Sequence, residues 1–205
     1  PIPTPRTLES LEVRLSPLPG AQLDLQLPSS PWQHVESTGA GVLVHVRRAH
    51  VDPAKSYAIP YTGNRYEELT KPTPWLETQD PAVAQMSREA LGDERDAVRA
   101  ARRIERYVAG VIENKDLGSG MATAAEVAAQ KSGDCTEHAV LTAAICRAAG
   151  VPARVVSGIV YIADFAGRKN VFGGHAWVEA YIDGKWIGLD ATRAPGGFGP
   201  GHITM

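Results

Sequence analysis

An α+β fold is expected for this chain, on three observations. Apolar and polar residues alternate in short strands near the start, patterns of period 3.6 fill the middle as one block, and strand patterns return around Asp183-Gly184 near the end. Helices that come as a block, not one for one with strands, argue against a parallel α/β sheet.

Taken in order, Leu11-Glu12-Val13-Arg14-Leu15 and Val42-Leu43-Val44-His45-Val46 alternate cleanly, with Gly- and Pro-rich punctuation between them. Residues 1–71 therefore read as a strand-rich N-terminal region. The character changes at Pro72-Thr73-Pro74, and residues 72–205 read as the second part of the chain. Asp80-Pro81 sets an N-cap before a proline at the first helical position, so a helix is expected over 82–91, broken by Gly92-Asp93. Residues 94–113 read as a longer helix with Val98, Ala101, Ile104, Val108 and Ile112 on one face. Arg99, Arg102, Arg103 and Arg106 fall mostly off that face, as a solvated side. Thr123-Ala124-Ala125-Glu126 is a capping-box pattern for a short helix that Gly133 would close. Asp134-Cys135-Thr136-Glu137 repeats the spacing, and the apolar run 139–149 behind it predicts a buried helix. Strands are expected at 155–162, 175–182 and 185–190, and a Gly/Pro loop at 194–201.

With 205 residues, 43% of them hydrophobic, the chain can bury a substantial core. Charged residues make up 21% and the formal net charge is -2, which gives no electrostatic footprint for nucleic acid or an anionic membrane. No apolar run approaches the roughly 20 residues of a membrane helix. The two cysteines, Cys135 and Cys146, fall on one predicted helix. At about 1.5 Å rise per residue they lie roughly 16 Å apart, too far to form a disulfide. Free thiols suit a reducing compartment, and a cytoplasmic location is the expectation.

A cysteine attacks as its thiolate, so a reactive one needs a positive local field and an accessible position. Cys135 is expected in the first turn of its helix, where unpaired N–H groups and the helix dipole both favour negative charge. The neighbouring Asp134 carboxylate works against that unless it turns into its capping role. The same N–H groups suit an oxyanion formed when a carbonyl is attacked. For a lone cysteine, a small buried hydrophobe is the blander account, and Cys146, mid-helix, fits it.

The last two strands strengthen the case for Cys135. Asp183-Gly184 is a preferred two-residue hairpin turn, and such a turn pairs Ile182 with Lys185 and Trp177 with Asp190. Side chains alternate along a strand, so His175 shares the face of Trp177 and becomes a diagonal neighbour of Asp190. A three-residue loop would instead put them on opposite faces. An Asp holding one imidazole nitrogen leaves the other to take a thiol proton. Gly173-Gly174 would let a substrate backbone come close to that His. Two alternatives stand beside this reading: a structural His–Asp hydrogen bond, and a zinc site using Cys135, His138, His175 and Asp190. Structural zinc sites usually draw two thiolates together, and Cys146 is three helical turns away; His138 reads as a helix-surface or supporting residue. Trp177 and Trp186 read as an aromatic core of the hairpin.

At these residues the chain resembles the transglutaminase-like superfamily of cysteine enzymes, over about residues 72–192. The resemblance is densest in Ser132-Gly133-Asp134-Cys135-Thr136-Glu137-His138-Ala139, in the segment 148–158, in Gly174-His175-Ala176-Trp177-Val178-Glu179, and in Leu189-Asp190-Ala191-Thr192. It implies a papain-like core, with the nucleophilic cysteine at the start of a buried helix packed on an antiparallel sheet. It also implies Cys135 as nucleophile, His175 as general base and Asp190 as orienting acid. The family's usual Asp-Pro-Thr is Asp190-Ala191-Thr192 here, which keeps the carboxylate. Family members continue with more strand beyond this loop, and the chain is expected to stop within or just before such a strand.

The resulting expectation is an enzyme that attacks peptide or side-chain amides through an acyl-thioester, with a peptide or protein as substrate and no cofactor or metal. Water as acceptor makes it a peptidase or amidase; a lysine amine makes it a crosslinking transglutaminase. Hydrolysis is favoured, since water needs no second binding site and no acidic calcium cluster is visible. A catalytically silent peptide-binding scaffold is the competing class.

Overall fold

A computed structural model describes residues 1–2, 7–20, 25–39, 41–114 and 121–205. They group into two compact units, one of Pro1–His50, Ser157–His175 and Phe198–Met205, the other of Val51–Val156 and Ala176–Gly197.

The first unit is built from strands. β1 (Ser10–Leu15), β2 (Gln33–Thr38) and β3 (Gly41–Arg47) form an antiparallel sheet with β3 in the middle. Alternation gives the sheet two different faces. Val42, Val44 and Val46 are buried with Ile203, and Val13, Val35 and Phe172 pack against them. The opposite face carries Glu12, His34, Glu36 and His45. The alternating runs that predicted β1 and β3 lie within those strands. β2 had no such run, because Val35 is its single aliphatic residue. It is anchored instead by Gln33, whose amide donates to the Pro28 and Thr204 carbonyls at 2.8 and 3.0 Å and accepts from the Thr204 N–H at 2.8 Å. Within this unit Gly158–Val160 of strand β4 (Ala153–Phe165) pairs antiparallel with β7 (His202–Thr204).

Both β4 and strand β5 (Arg168–Ile182) run longer than the sequence suggested, meeting at a turn of Ala166 and Gly167 with φ of 49° and 78°. Their added ends carry Asp164, Arg168, Lys169 and Asn170, exposed polar residues that show no alternation.

The second unit holds helices α1 (Pro81–Leu91), α2 (Ala97–Val111), α3 (Ala124–Gln130) and α4 (Cys135–Ala148), with the ladder of β5 and β6 (Lys185–Leu189). Asp80 caps α1 as expected, accepting from Ala82 N and Val83 N at 2.8 and 3.2 Å. α2 starts three residues later than expected. The Glu94 carboxylate accepts the N–H groups of Arg95 and Asp96, each at 3.0 Å, which turns the chain, and Asp96 then caps the helix through Arg99 N. α3 ends on Lys131, which takes the left-handed conformation at φ 52° that Gly133 was expected to supply. α4 packs against the other three helices, and every residue from Glu137 to Arg147 is buried. Its apolar side chains share one core with Ile104 and Val108 of α2 and Val178, Ile182 and Leu189 of the hairpin.

The hairpin has the expected register. Ile182 pairs with Lys185 and Val178 with Leu189 around Asp183-Gly184, whose φ of 57° and 70° fit a type I′ turn. Among the described residues no helix is long and apolar enough to cross a membrane.

Candidate active site

Cys135 is the first residue of α4 and is half-buried. Its approach is fixed by a reciprocal cap: the Asp134 carboxylate accepts the Thr136 N–H at 2.7 Å, and Glu137 Oε2 accepts the Asp134 N–H at 2.9 Å. Glu137 is 1% exposed and its Oε1 also accepts from Ala122 N at 3.3 Å. Gly133 makes room for it: at φ 148° its backbone suits glycine, and a Cβ there would run into the Glu137 side chain. Gly133 N donates to the Asn114 carbonyl at 3.0 Å, which ties the approach to the end of α2. Asp134 is thus turned into its capping role.

The two thiols differ sharply. Cys146 is fully buried mid-helix, and burial together with the nearby Glu105 charge pushes its pKa up to about 12. It is a packed apolar group. Of the two places expected for His138, helix surface or supporting residue, the structure has the second. It is 1% exposed, and its Nδ1 lies 2.6 Å from the Asp134 carbonyl, an acceptor, so Nδ1 carries the proton and donates. It braces the turn on which Cys135 sits. Cys146, mid-core and three helical turns away, brings no second thiolate to Cys135-x-x-His138, as a structural zinc site usually requires.

Asp190 follows β6 and is 1% exposed. Carrying the ladder one step past Val178–Leu189 sets Trp177 across from Asp190. Asp190 caps a short 3-10 turn, Ala191–Arg193, its Oδ1 accepting from Arg193 N at 3.2 Å. That turn packs on α4, so the helix that begins at Cys135 and the turn capped by Asp190 are neighbours in one unit. His175 belongs to the other unit, in the same unbroken strand β5 that carries Trp177. It is half-buried beside the ring of His202, with centroids 5.8 Å apart. Gly174 next to it is exposed, and a Cβ there would meet nothing within 4 Å.

Two residues near these positions carried no sequence signal. His202 sits after a Gly/Pro loop in a strand of three residues, too short for a pattern. Glu105 stands among arginines and reads as part of a solvated helix side. It is 6% exposed, and its Oε1 accepts the Asp190 N–H at 2.7 Å. Trp177, 1% exposed, is the aromatic core residue expected. Trp186 is only half-buried and lies under the Arg154 guanidinium, 4.3 Å from its ring centroid.

The family model of the transglutaminase-like superfamily matches residues 84–191, just over half of the chain. An uncharacterised protein of Mycobacterium leprae is 32% identical over 130 residues, covering 60% of this chain; the chain spans 44% of that relative. Among solved structures, one described as a candidate cysteine protease from Cytophaga hutchinsonii aligns with a TM-score of 0.64 at 18% identity, over 88% of this chain and 73% of that one. The periplasmic domain of TgpA from Pseudomonas aeruginosa aligns with a TM-score of 0.52 at 19% identity, over 82% of this chain and 67% of that domain. At these identities the two structures speak for the fold.

Proposed function

The chain belongs to the transglutaminase-like superfamily, and from that premise we propose that it is a cysteine hydrolase of peptide or side-chain amides. Cys135 is its nucleophile, His175 its general base and Asp190 the group that orients His175. The observation that carries the proposal is α4: a half-buried cysteine is the first residue of a helix buried from Glu137 to Arg147, and that helix packs on the turn that Asp190 caps. The hairpin register supports the pairing of roles, because alternation gives His175 the face of Trp177, the residue across from Asp190. The description of the Cytophaga hutchinsonii structure as a candidate cysteine protease points the same way.

In the proposed cycle His175 takes the Cys135 thiol proton as the sulfur bonds to the amide carbonyl carbon. The oxyanion draws on N–H groups at the start of α4; the Thr136 N–H is already taken by Asp134, which leaves the N–H of Cys135 itself for this task. The C–N bond breaks and the amine leaves with the proton from His175. Water, deprotonated by His175, then attacks the thioester, releasing a carboxylic acid and restoring the thiol. Water is the acceptor in this reading because it needs no second binding site. Both free thiols suit a reducing cytoplasm.

A peptide library incubated with the protein and, separately, with a primary-amine probe tests the reading. Hydrolysed amides with wild type and none with Cys135→Ala are expected. Amine incorporation exceeding hydrolysis would make the protein a transglutaminase; neither product from wild type would make it a scaffold.

A further inference from the structure

Asp190 sits one residue past the last β5–β6 pair, so its buried N–H has left the ladder and needs another acceptor. Glu105 Oε1 supplies it across 85 residues of sequence, at 2.7 Å. A carboxylate is a costly choice for that place. Glu105 lies on the buried side of α2 with Ala101, Ile104 and Val108, and desolvating a charge is unfavourable unless it is paired. Arg102, one turn back, offsets the charge through Nη1 at 3.0 Å from Oε2. The same carboxylate also limits the far end of the loop that Asp190 opens. Gly197, at φ 59°, lies so close that a Cβ on it would stand 2.9 Å from Glu105 Oε1. One side chain on α2 therefore holds the first residue of the 190–197 loop and abuts its last.

We infer that Glu105 is a positioning residue for Asp190, fixing by its bond to the Asp190 N–H where the Asp190 carboxylate stands. The inference rests on the proposed roles of Cys135, His175 and Asp190, and no substrate is needed to test it. An Asp that stabilises the imidazolium form of His175 also favours the Cys135 thiolate, so the pH midpoint of Cys135 alkylation reports on Asp190. Iodoacetamide rates at Cys135 are measured against pH by peptide mapping, with thermal melts confirming that each variant is folded.

Asp190→Asn should raise the midpoint, by about one pH unit for the loss of a neighbouring charge. Glu105→Ala should raise it in the same direction, and Glu105→Gln, which keeps a carbonyl for the Asp190 N–H, should stay near wild type. Glu105→Asp keeps the charge but draws it back by one methylene, and should raise the midpoint even if the Ala variant does not fold. The Glu105→Asp, Asp190→Asn double variant should match Asp190→Asn alone. A wild-type midpoint in Glu105→Asp, an equal rise in Glu105→Gln, or additive rises in the double variant would each overturn the inference while leaving the triad standing. A wild-type midpoint in Asp190→Asn would overturn the triad, and the inference with it.

Discussion

Cys135 and Cys146 share a helix, yet only the first combines access with a helix start. At neutral pH Cys146, pushed up to about 12, is protonated and shielded, and it gains reactivity only as pH rises towards that value. Brief alkylation of native protein should modify Cys135 first, with Cys146 following only on unfolding; mass spectrometry that finds the two modified at equal rates would remove the case for a tuned thiol. Residue by residue, the candidate site was partly legible. The places of Cys135 at a helix start and of Asp190 at the end of the hairpin could be read, because a cap pattern and a hairpin turn fix them in local structure. Glu105 and His202 could not, since each acquires its surroundings through contacts remote in sequence, Asp190 for one and His175 for the other. For His138 the sequence left a surface and a supporting place open, and the supporting one holds because the Asp134 carbonyl satisfies the ring inside.

At the scale of elements, the start of α4 rests on a few local interactions. Asp134→Ala removes the acceptor for Thr136 N and should lower stability by about 1 kcal/mol in a denaturant melt. Gly133→Ala should cost more, since it adds a positive-φ penalty to a collision with Glu137. The hairpin turn gives a pH-dependent test. Lys185 Nζ, at 2.8 Å, and the Asp52 N–H, at 3.2 Å, hold the Asp183 carboxyl below its usual range. A depressed folded value means that the stabilisation is present above the unfolded value, about 3.9, and is lost as pH falls through the folded one. Asn also tolerates the turn's positive φ, so Asp183→Asn removes mainly the charge. The wild type should therefore melt above Asp183→Asn near pH 6, with the gap closing below about pH 4. A gap that does not change with pH would show that the Asp183 charge contributes nothing there. Capping boxes and the Asp-Gly turn made most helix starts and the hairpin register readable from sequence. The start of α2 and the end of α3 were less so, because Glu94 and Lys131 do work that propensity assigns to other residues.

For the molecule as a whole, strands β4 and β5 each run through both the helix-rich unit and the strand-built unit, and the transglutaminase-like match spans residues 84–191, from within α1 into the turn after β6. The N-terminal sheet lies outside that match, and its alternation told of a two-faced sheet without telling of a function. If the three proposed residues act as one apparatus, their losses should not add. His175→Ala should slow turnover by about 10²–10⁴-fold, Asp190→Asn by less, and the double variant should resemble His175→Ala alone. Effects that multiplied would detach Asp190 from His175. The central claim, a covalent acyl-enzyme on Cys135, is tested most directly by acid-quenching the protein during incubation with activated peptide esters and mapping the adduct by mass spectrometry. The account predicts one acyl group on Cys135 in wild type, persisting longer in His175→Ala, where any acylation that occurs lacks a base for hydrolysis, and absent from Cys135→Ala. An unmodified wild-type Cys135, or an adduct that survives Cys135→Ala, would contradict it.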